Sequence, residues 1–433
     1  MANIVLKGNT SGSITIASPD VSGVNVLTLP VETGTILTTN TPLPEVSSVE
    51  FAGAGTSSGN ITITAPDTDE TNTLTFPETT GTFATENSLG MRNLVINGNM
   101  AIDQRNAGAS VTATSTITVV DRFQMYAANI TNAQTYQQVT DAPAGFNNSL
   151  KVTNSSTTQS GTNALYSPRQ KIEGLNTAHL NWGTSDAQTV TLSFWVKASV
   201  TGTYPATLTN NNFSRSFVTS YTVSVANTWE YKTITIAGDT SGAWKVDSTT
   251  GINIMLSLDV EPAYQTSTVD AWQTGNVRGT SSDVHFLANA SATWQITGVQ
   301  LEANTTATPF ENLQYGQQLA LCQRYFQVLS YVSGSNVAVG ISTSTVSAIT
   351  TFYYSQKRAT PSITLPPASQ TNGISFLTVT GAHPTTIGTN TADRISVTSS
   401  RISGASYVGL AGAGRGSFLY AAGAQVITIS AEL

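Results

Sequence analysis

Alternation of apolar and polar residues at every second position dominates the chain. Val190-Thr191-Leu192-Ser193-Phe194-Trp195-Val196-Lys197-Ala198, Trp229 to Ile236, Ile252 to Leu258 and Thr293 to Leu301 each read as a strand with an apolar and a polar edge. Clusters of Gly, Asn, Asp, Ser and Pro separate them, as turns require. Their length and spacing predict an all-β chain with a β-sandwich over residues 90–312. Trp195 and Trp294, set within apolar runs, are expected in its core. Beyond residue 331 the strands shorten (Val337 to Ile341, Ala348 to Tyr354, Ile374 to Val379, Ile395 to Val397, Gln425 to Ile429), which predicts a small β head over 331–433. One segment departs from period 2: Leu319, Cys322, Phe326 and Leu329 recur at spacings of three and four, predicting a helical connector over 313–330.

The first 89 residues carry a repeat at an offset of 47 positions. Ser11-Gly12-Ser13-Ile14-Thr15-Ile16 recurs as Ser58-Gly59-Asn60-Ile61-Thr62-Ile63, and Leu27-Thr28, Pro30 and Thr33-Gly34-Thr35 recur as Leu74-Thr75, Pro77 and Thr80-Gly81-Thr82. Each unit predicts short strands such as those around Ile14 and Leu27, and its few large apolar residues cannot by themselves offset chain entropy, so the repeats call for neighbouring units or other subunits. Residues 40–48 and Glu86-Asn87-Ser88-Leu89-Gly90 read as joints.

Composition narrows the function. With 433 residues the chain is long enough for about three domains of ~150 residues each. Only 10% of residues are charged, and the net charge of −7 comes with no basic run, which argues against nucleic acid as a partner. The N-terminus lacks a basic and then apolar leader and no run of 18 apolar residues occurs, so neither a signal peptide nor membrane insertion is expected. The single cysteine, Cys322, can form no intrachain disulfide and, with no His near it in sequence, reads as a small buried hydrophobe.

Several segments carry a resemblance. Asn93-Leu94-Val95-Ile96-Asn97-Gly98-Asn99-Met100-Ala101-Ile102-Asp103-Gln104-Arg105, Asp121-Arg122-Phe123, Leu192 to Lys197 and Gly298-Val299-Gln300-Leu301-Glu302 together resemble the jelly-roll module of bacteriophage tail-fibre and tail-appendage proteins, itself similar to carbohydrate-binding jelly rolls. Thr308-Pro309-Phe310-Glu311, Leu319 to Phe326 and Ser430-Ala431-Glu432-Leu433 resemble the connector and terminus of the same proteins, and the repeats resemble their shaft or attachment units. The resemblance implies an elongated homotrimer on a virion, attached to tail or capsid proteins through the repeats and binding a host-surface glycan or other receptor. In such a trimer the stripe Leu319, Cys322, Phe326 and Leu329 either meets its copies on the axis or caps its own sandwich. It also implies a structural calcium where the first strand meets the last, with Asp103 and Glu302 as the available oxygens and Asn99 standing where a further acid is expected. No other cofactor is called for.

Sugar binding asks for an aromatic platform and a few amides or carboxylates. Trp244 and Trp272, in loop contexts, and Tyr264 are the candidates in the sandwich, with Tyr407 and Tyr420 in the head. Asp259, Glu261, Asp270 and Asp283 lie close in sequence and offer a carboxylate pair for glycoside hydrolysis. Acidic residues beside strands are commonly solvated turn residues, and no nucleophile elbow, metal-ligand spacing or phosphate loop accompanies them. The sequence therefore reads as a non-catalytic attachment fibre. A purely structural appendage and a polysaccharide-degrading enzyme are the alternatives.

Overall fold

Alternating strands must bury one face each, and the chain does so by stacking sheets. A computed structural model describes the strands Asn3–Lys7, Ser13–Ala17, Ser48–Ala52 and Asn60–Thr64 and, from residue 91 onward, all residues except 132, 156–162, 345, 369–372, 379–388, 394, 406–415 and 423. The chain divides into two units, Met1–Thr82 and Phe83–Leu433. In the first, Asn3–Lys7 pairs antiparallel with Ser13–Ala17, and Ser48–Ala52 with Asn60–Thr64. The repeat is thus a repeat of hairpins. The expected strands around Leu27 and Leu74 lie outside the described residues.

In the second unit an eight-stranded sheet runs in the order Trp272–Thr274, Arg215–Val223, Gly202–Thr209, Thr250–Leu256, Leu165–Glu173, Gln124–Ala128, Ile117–Thr118, with Asp259–Val260 also on Leu165–Glu173. A six-stranded sheet faces it in the order Glu230–Ile236, Val190–Ala198, Thr293–Glu302, Ser149–Asn154, Gln134–Val139, Val111–Ala113. Leu192, Phe194, Val196, Trp294 and Ile296 from the six-stranded sheet meet Tyr166, Tyr204, Leu208, Phe217, Tyr221 and Ile254 from the other in one core. Trp294 is fully buried and donates its indole N–H across the sandwich to Tyr221 Oη at 3.1 Å. The segment Asn93 to Arg105 plugs one end: Asn97, completely buried, accepts from Ile102 N and donates to the carbonyls of Ile102 and Asp121, all at 2.9 Å. That match to a turn's unpaired backbone groups accounts for an asparagine in left-handed conformation (φ 62°) at this position.

The helix is shorter than its pattern predicts, spanning Tyr315–Gln323. Phe326 and Leu329 belong instead to the strand Phe326–Tyr331, which pairs with Gln425–Ser430. Only Leu319 and Cys322 of the proposed stripe are helical, and Cys322 is buried against Ile96, Ile102 and Tyr325, so the helix packs on its own sandwich. Beyond it lie a three-stranded sheet (Phe326–Tyr331, Gln425–Ser430, Ser362–Thr364) and a six-stranded one (Gly373–Thr378, Gly416–Ala422, Asn336–Ser342, Ala348–Tyr353, Ser399–Ala405, Thr389–Asp393). They share a core that includes Phe352, Tyr354, Ile374, Ile402, Leu419, Ile427 and Ile429. The strand expected at Ile395 to Val397 is a turn; pairing shifts to the flanking strands.

Candidate functional site

Parity along Val190–Ala198 decides which aromatics are available. Val190, Leu192, Phe194, Val196 and Ala198 point into the core, so Trp195 points the other way and is half-buried on the outer face of the six-stranded sheet. The expectation that Trp195 belongs to the core is corrected here: it sits between apolar neighbours in sequence but on the opposite side of the pleat. Its cross-strand partner is Tyr231, 44% exposed, with the two ring centroids 5.3 Å apart. Phe146 and Phe310, centroids 5.1 Å apart and edge to face, form the opposite side. Together with Ser193, Gly298, Ala307, Thr308 and Pro309 these residues line an open cleft of about 410 Å³.

The sequence builds this cleft from a bulge and a strap. Register slips opposite Ser193 and Trp195 where Gly298 interrupts its strand at φ 64°, and a Cβ there would stand 2.7 Å from Phe146 Cζ and 3.2 Å from Trp195 Cδ1. Glycine is what lets both rings close on the sheet. The strap is the segment after Glu302. Glu302 accepts from Thr308 N at 2.8 Å and from Thr308 Oγ1 at 2.7 Å, while Gln300 accepts from Glu311 N at 2.8 Å. These bonds fold Thr308-Pro309-Phe310 back over the strand as the cleft wall.

Further along the same face Asp141 accepts from Lys197, from Gln295 Nε2 at 3.0 Å and from Trp229 Nε1 at 3.3 Å. The Lys197 hydrogen bond holds the Asp141 carboxyl below its ordinary value. Lys197 Nζ also stands 5.5 Å from the centre of the Trp229 ring. An aromatic cleft and a polar pad with one more tryptophan therefore share one exposed sheet face.

The residues singled out from sequence lie elsewhere. Trp244 and Trp272 join Trp182 in a three-indole cluster with centroids 4.8–5.3 Å apart and planes at 71–82°. Each indole N–H is taken by a carbonyl: Trp182 by Gln188, Trp244 by Ser241, Trp272 by Ala237. Edge-to-face packing of this kind sets the edge of one indole against the face of the next and packs Trp244 and Trp272 onto the core. Tyr264 packs beside Leu165, Met255 and Val260 on the outer face of the eight-stranded sheet. Tyr420 is half-buried in the head sheet, and Tyr407 lies outside the described residues.

The two acidic residues expected at a calcium site each make local hydrogen bonds. Asp103 accepts from Asn106 N and Gly108 N, and Glu302 is taken up by Thr308 and Gln300, so each carboxylate caps its own turn. Of the acidic residues proposed for hydrolysis, Asp259 and Glu261 do come together, with His285 as third member and ligand atoms within 4.8 Å of one another. Buried Asp259 bonds His285 Nδ1 at 3.2 Å and Leu287 N at 2.8 Å. Burial raises the carboxyls of Asp259 and Glu261, the latter also through the charge of Asp259. This group can hold a proton or take a divalent cation, and Asp270 is no part of it.

No family model and no curated protein matches the chain. Solved structures similar to it include a candidate sugar-binding protein from Bacteroides thetaiotaomicron VPI-5482, 13% identical, covering 49% of this chain and 100% of its own at a TM-score of 0.28. A family 11 carbohydrate-binding module from Clostridium thermocellum, in complex with a β-1,3-1,4-mixed-linked tetrasaccharide, is 14% identical and covers 46% of this chain and 98% of its own at a TM-score of 0.23. Scores this low assign neither family nor ligand.

Proposed function

We propose that the chain is a non-catalytic, glycan-binding subunit of an attachment fibre, with the Trp195–Tyr231–Phe146–Phe310 cleft as the saccharide contact. The observation that carries this reading is the cleft itself: aromatic walls, hydroxyls from Ser193 and Thr308, and a lining without carboxylate or imidazole. Aromatic rings offer a surface for the C–H face of a sugar, and the hydroxyls of the lining take up its O–H groups. The fibre part of the proposal, a homotrimer on a phage virion carrying the site toward a host surface, is supported by the sequence resemblance and by the repeated hairpins of the first unit. Many weak contacts per particle then act together through avidity.

The test is to titrate the full chain with neutral oligosaccharides such as cellohexaose and maltohexaose, reading tryptophan fluorescence. Trp195→Ala should weaken any binding at least tenfold, whereas Trp244→Ala should leave it within twofold. Equal binding by the Trp195→Ala protein, with Trp244→Ala the damaging change, would move the site to the indole cluster.

A further inference from the structure

The outer face of the eight-stranded sheet is polar and yet covered. Ser167, Thr207, Thr209, Ser216, Asn253 and Ser257 are completely buried there. The cover is the loop after Val260, whose two limbs run side by side: Thr266 N donates to Gly279 O at 2.9 Å and Arg278 N to Tyr264 O at 2.7 Å. Thr207 Oγ1 holds the loop down through Arg278 O at 2.9 Å.

Two guanidinium groups are enclosed in this layer. Arg278 is 1% exposed and Arg169 7%. Arg278 donates from Nη1 to Ser216 Oγ at 3.2 Å and Val277 O at 2.8 Å and from Nη2 to Asn276 Oδ1, and its Nε is buried without a partner. Arg169 donates from Nε to Gln124 Oε1 at 2.9 Å. Their aromatic neighbours are Phe213, 4.6 Å from the Arg278 guanidinium carbon, and Tyr126, 4.3 Å from that of Arg169. Neither arginine has a carboxylate partner among the described residues. Each of the other enclosed arginines has one or lies against one: Arg122 pairs with Glu432, and Arg105 with Asp121 and Glu432. Burial pushes both guanidinium groups down to about 10, and the charge of Arg169 adds to the effect on Arg278.

Two like charges taken out of water without a counterion are costly, and a guanidinium fork matches the oxygens of a carboxylate, sulfate or phosphate. We infer that Arg169 and Arg278, bordered by the half-exposed Gln124, Tyr126 and Tyr264, form an anion-binding site that takes an oxyanion, either free or carried on an acidic sugar. The site is separate from the Trp195 cleft, being on the opposite sheet, and stands whether or not that cleft binds saccharide.

Calorimetric titration of the full chain at constant ionic strength, with sodium sulfate, D-glucuronate and D-glucose in parallel, tests it. The expected result is saturable millimolar binding of sulfate or glucuronate, weakened at least tenfold by Arg169→Gln and unchanged by Trp195→Ala, whereas any heat from glucose belongs to the cleft and is insensitive to Arg169→Gln. Comparable affinities for sulfate and glucuronate identify a bare oxyanion as the ligand; tenfold tighter glucuronate identifies the acidic sugar. If Arg169→Gln does not fold by circular dichroism, Arg169→Lys, which keeps charge but loses the fork, should show the same weakening. Absence of saturable anion binding, or full affinity in the folded variant, overturns the proposal.

Discussion

A single residue's parity separates Trp195 from Trp294. Both sit in runs of apolar residues, and composition alone sends both to the core. Counting in twos from Leu192 and Phe194 sets Trp195 with Ser193 and Lys197 on the opposite face, so this part of the site was legible in the sequence. The buried arginines were not: Arg169 sits in a strand and Arg278 in the loop after Val260, and their burial follows from the packing of that loop on the sheet, a contact between segments far apart in sequence. Asp121, within the stretch that carries the family resemblance, shows a structural cost held at one residue. It is 1% exposed, and burial lifts its carboxyl to about 6 although Gln104 and Arg105 both donate to it. A carboxyl raised in the folded state is stabilising while protonated, below about pH 4, and the contribution fades as pH rises through about 6. The unfolding free energy of the wild type minus that of Asp121→Asn should therefore grow on going from pH 7 to pH 4, by an amount on the order of 2–3 kcal/mol. Urea denaturation at the two pH values checks this, and a difference that stays flat or falls would contradict it.

At the scale of elements, long strands were readable and short-range exceptions were not. Val190–Ala198 and Thr293–Glu302 agree with their alternation to within a residue, because nine or ten positions of strict period 2 leave little room for another structure. The helix was overextended because Phe326 and Leu329 continue a three-and-four spacing by coincidence, while Gln425–Ser430, a hundred residues away, claims them for a strand. The bulge at Gly298 belongs to the same class of long-range effects: a glycine inside a strand is visible, but what it makes room for is not. Gly298→Ala should place a methyl against Phe146 and Trp195 and force a left-handed backbone on alanine, costing about 1–2 kcal/mol by thermal or denaturant unfolding. It should also weaken saccharide binding by displacing the rings, so stability and affinity fall together in this variant. Trp195→Ala, by contrast, should affect affinity far more than stability.

At the scale of the whole molecule, the second unit is tied together by charge as well as by apolar packing. Glu173 accepts from Arg324 at 2.6 and 2.9 Å and from Tyr325 Oη at 2.8 Å, and Glu432 pairs with Arg105 at 2.9 Å and with Arg122. Arg358 reaches Ser248 O and Glu432 O, and the Arg105 and Arg122 guanidiniums lie 3.5 Å over Phe326 and Tyr325. The expected helical connector therefore contributes Cys322 to a buried cluster with Tyr325, beside these ion pairs, while Tyr315, Gln317 and Ala320 of the helix stay exposed. Candidate trimer contacts are the repeats and the exposed apolar residues Val339, Ile341 and Tyr353 on the head sheet. Light scattering on the full chain should give three times the 45.4 kDa chain mass. Tyr353→Lys together with Ile341→Lys, both on that outward face, should leave the mass unchanged if the repeats hold the trimer and reduce it to one chain if the head does. A wild-type mass equal to one chain would remove the trimeric fibre and leave the proposed saccharide cleft on a monomer.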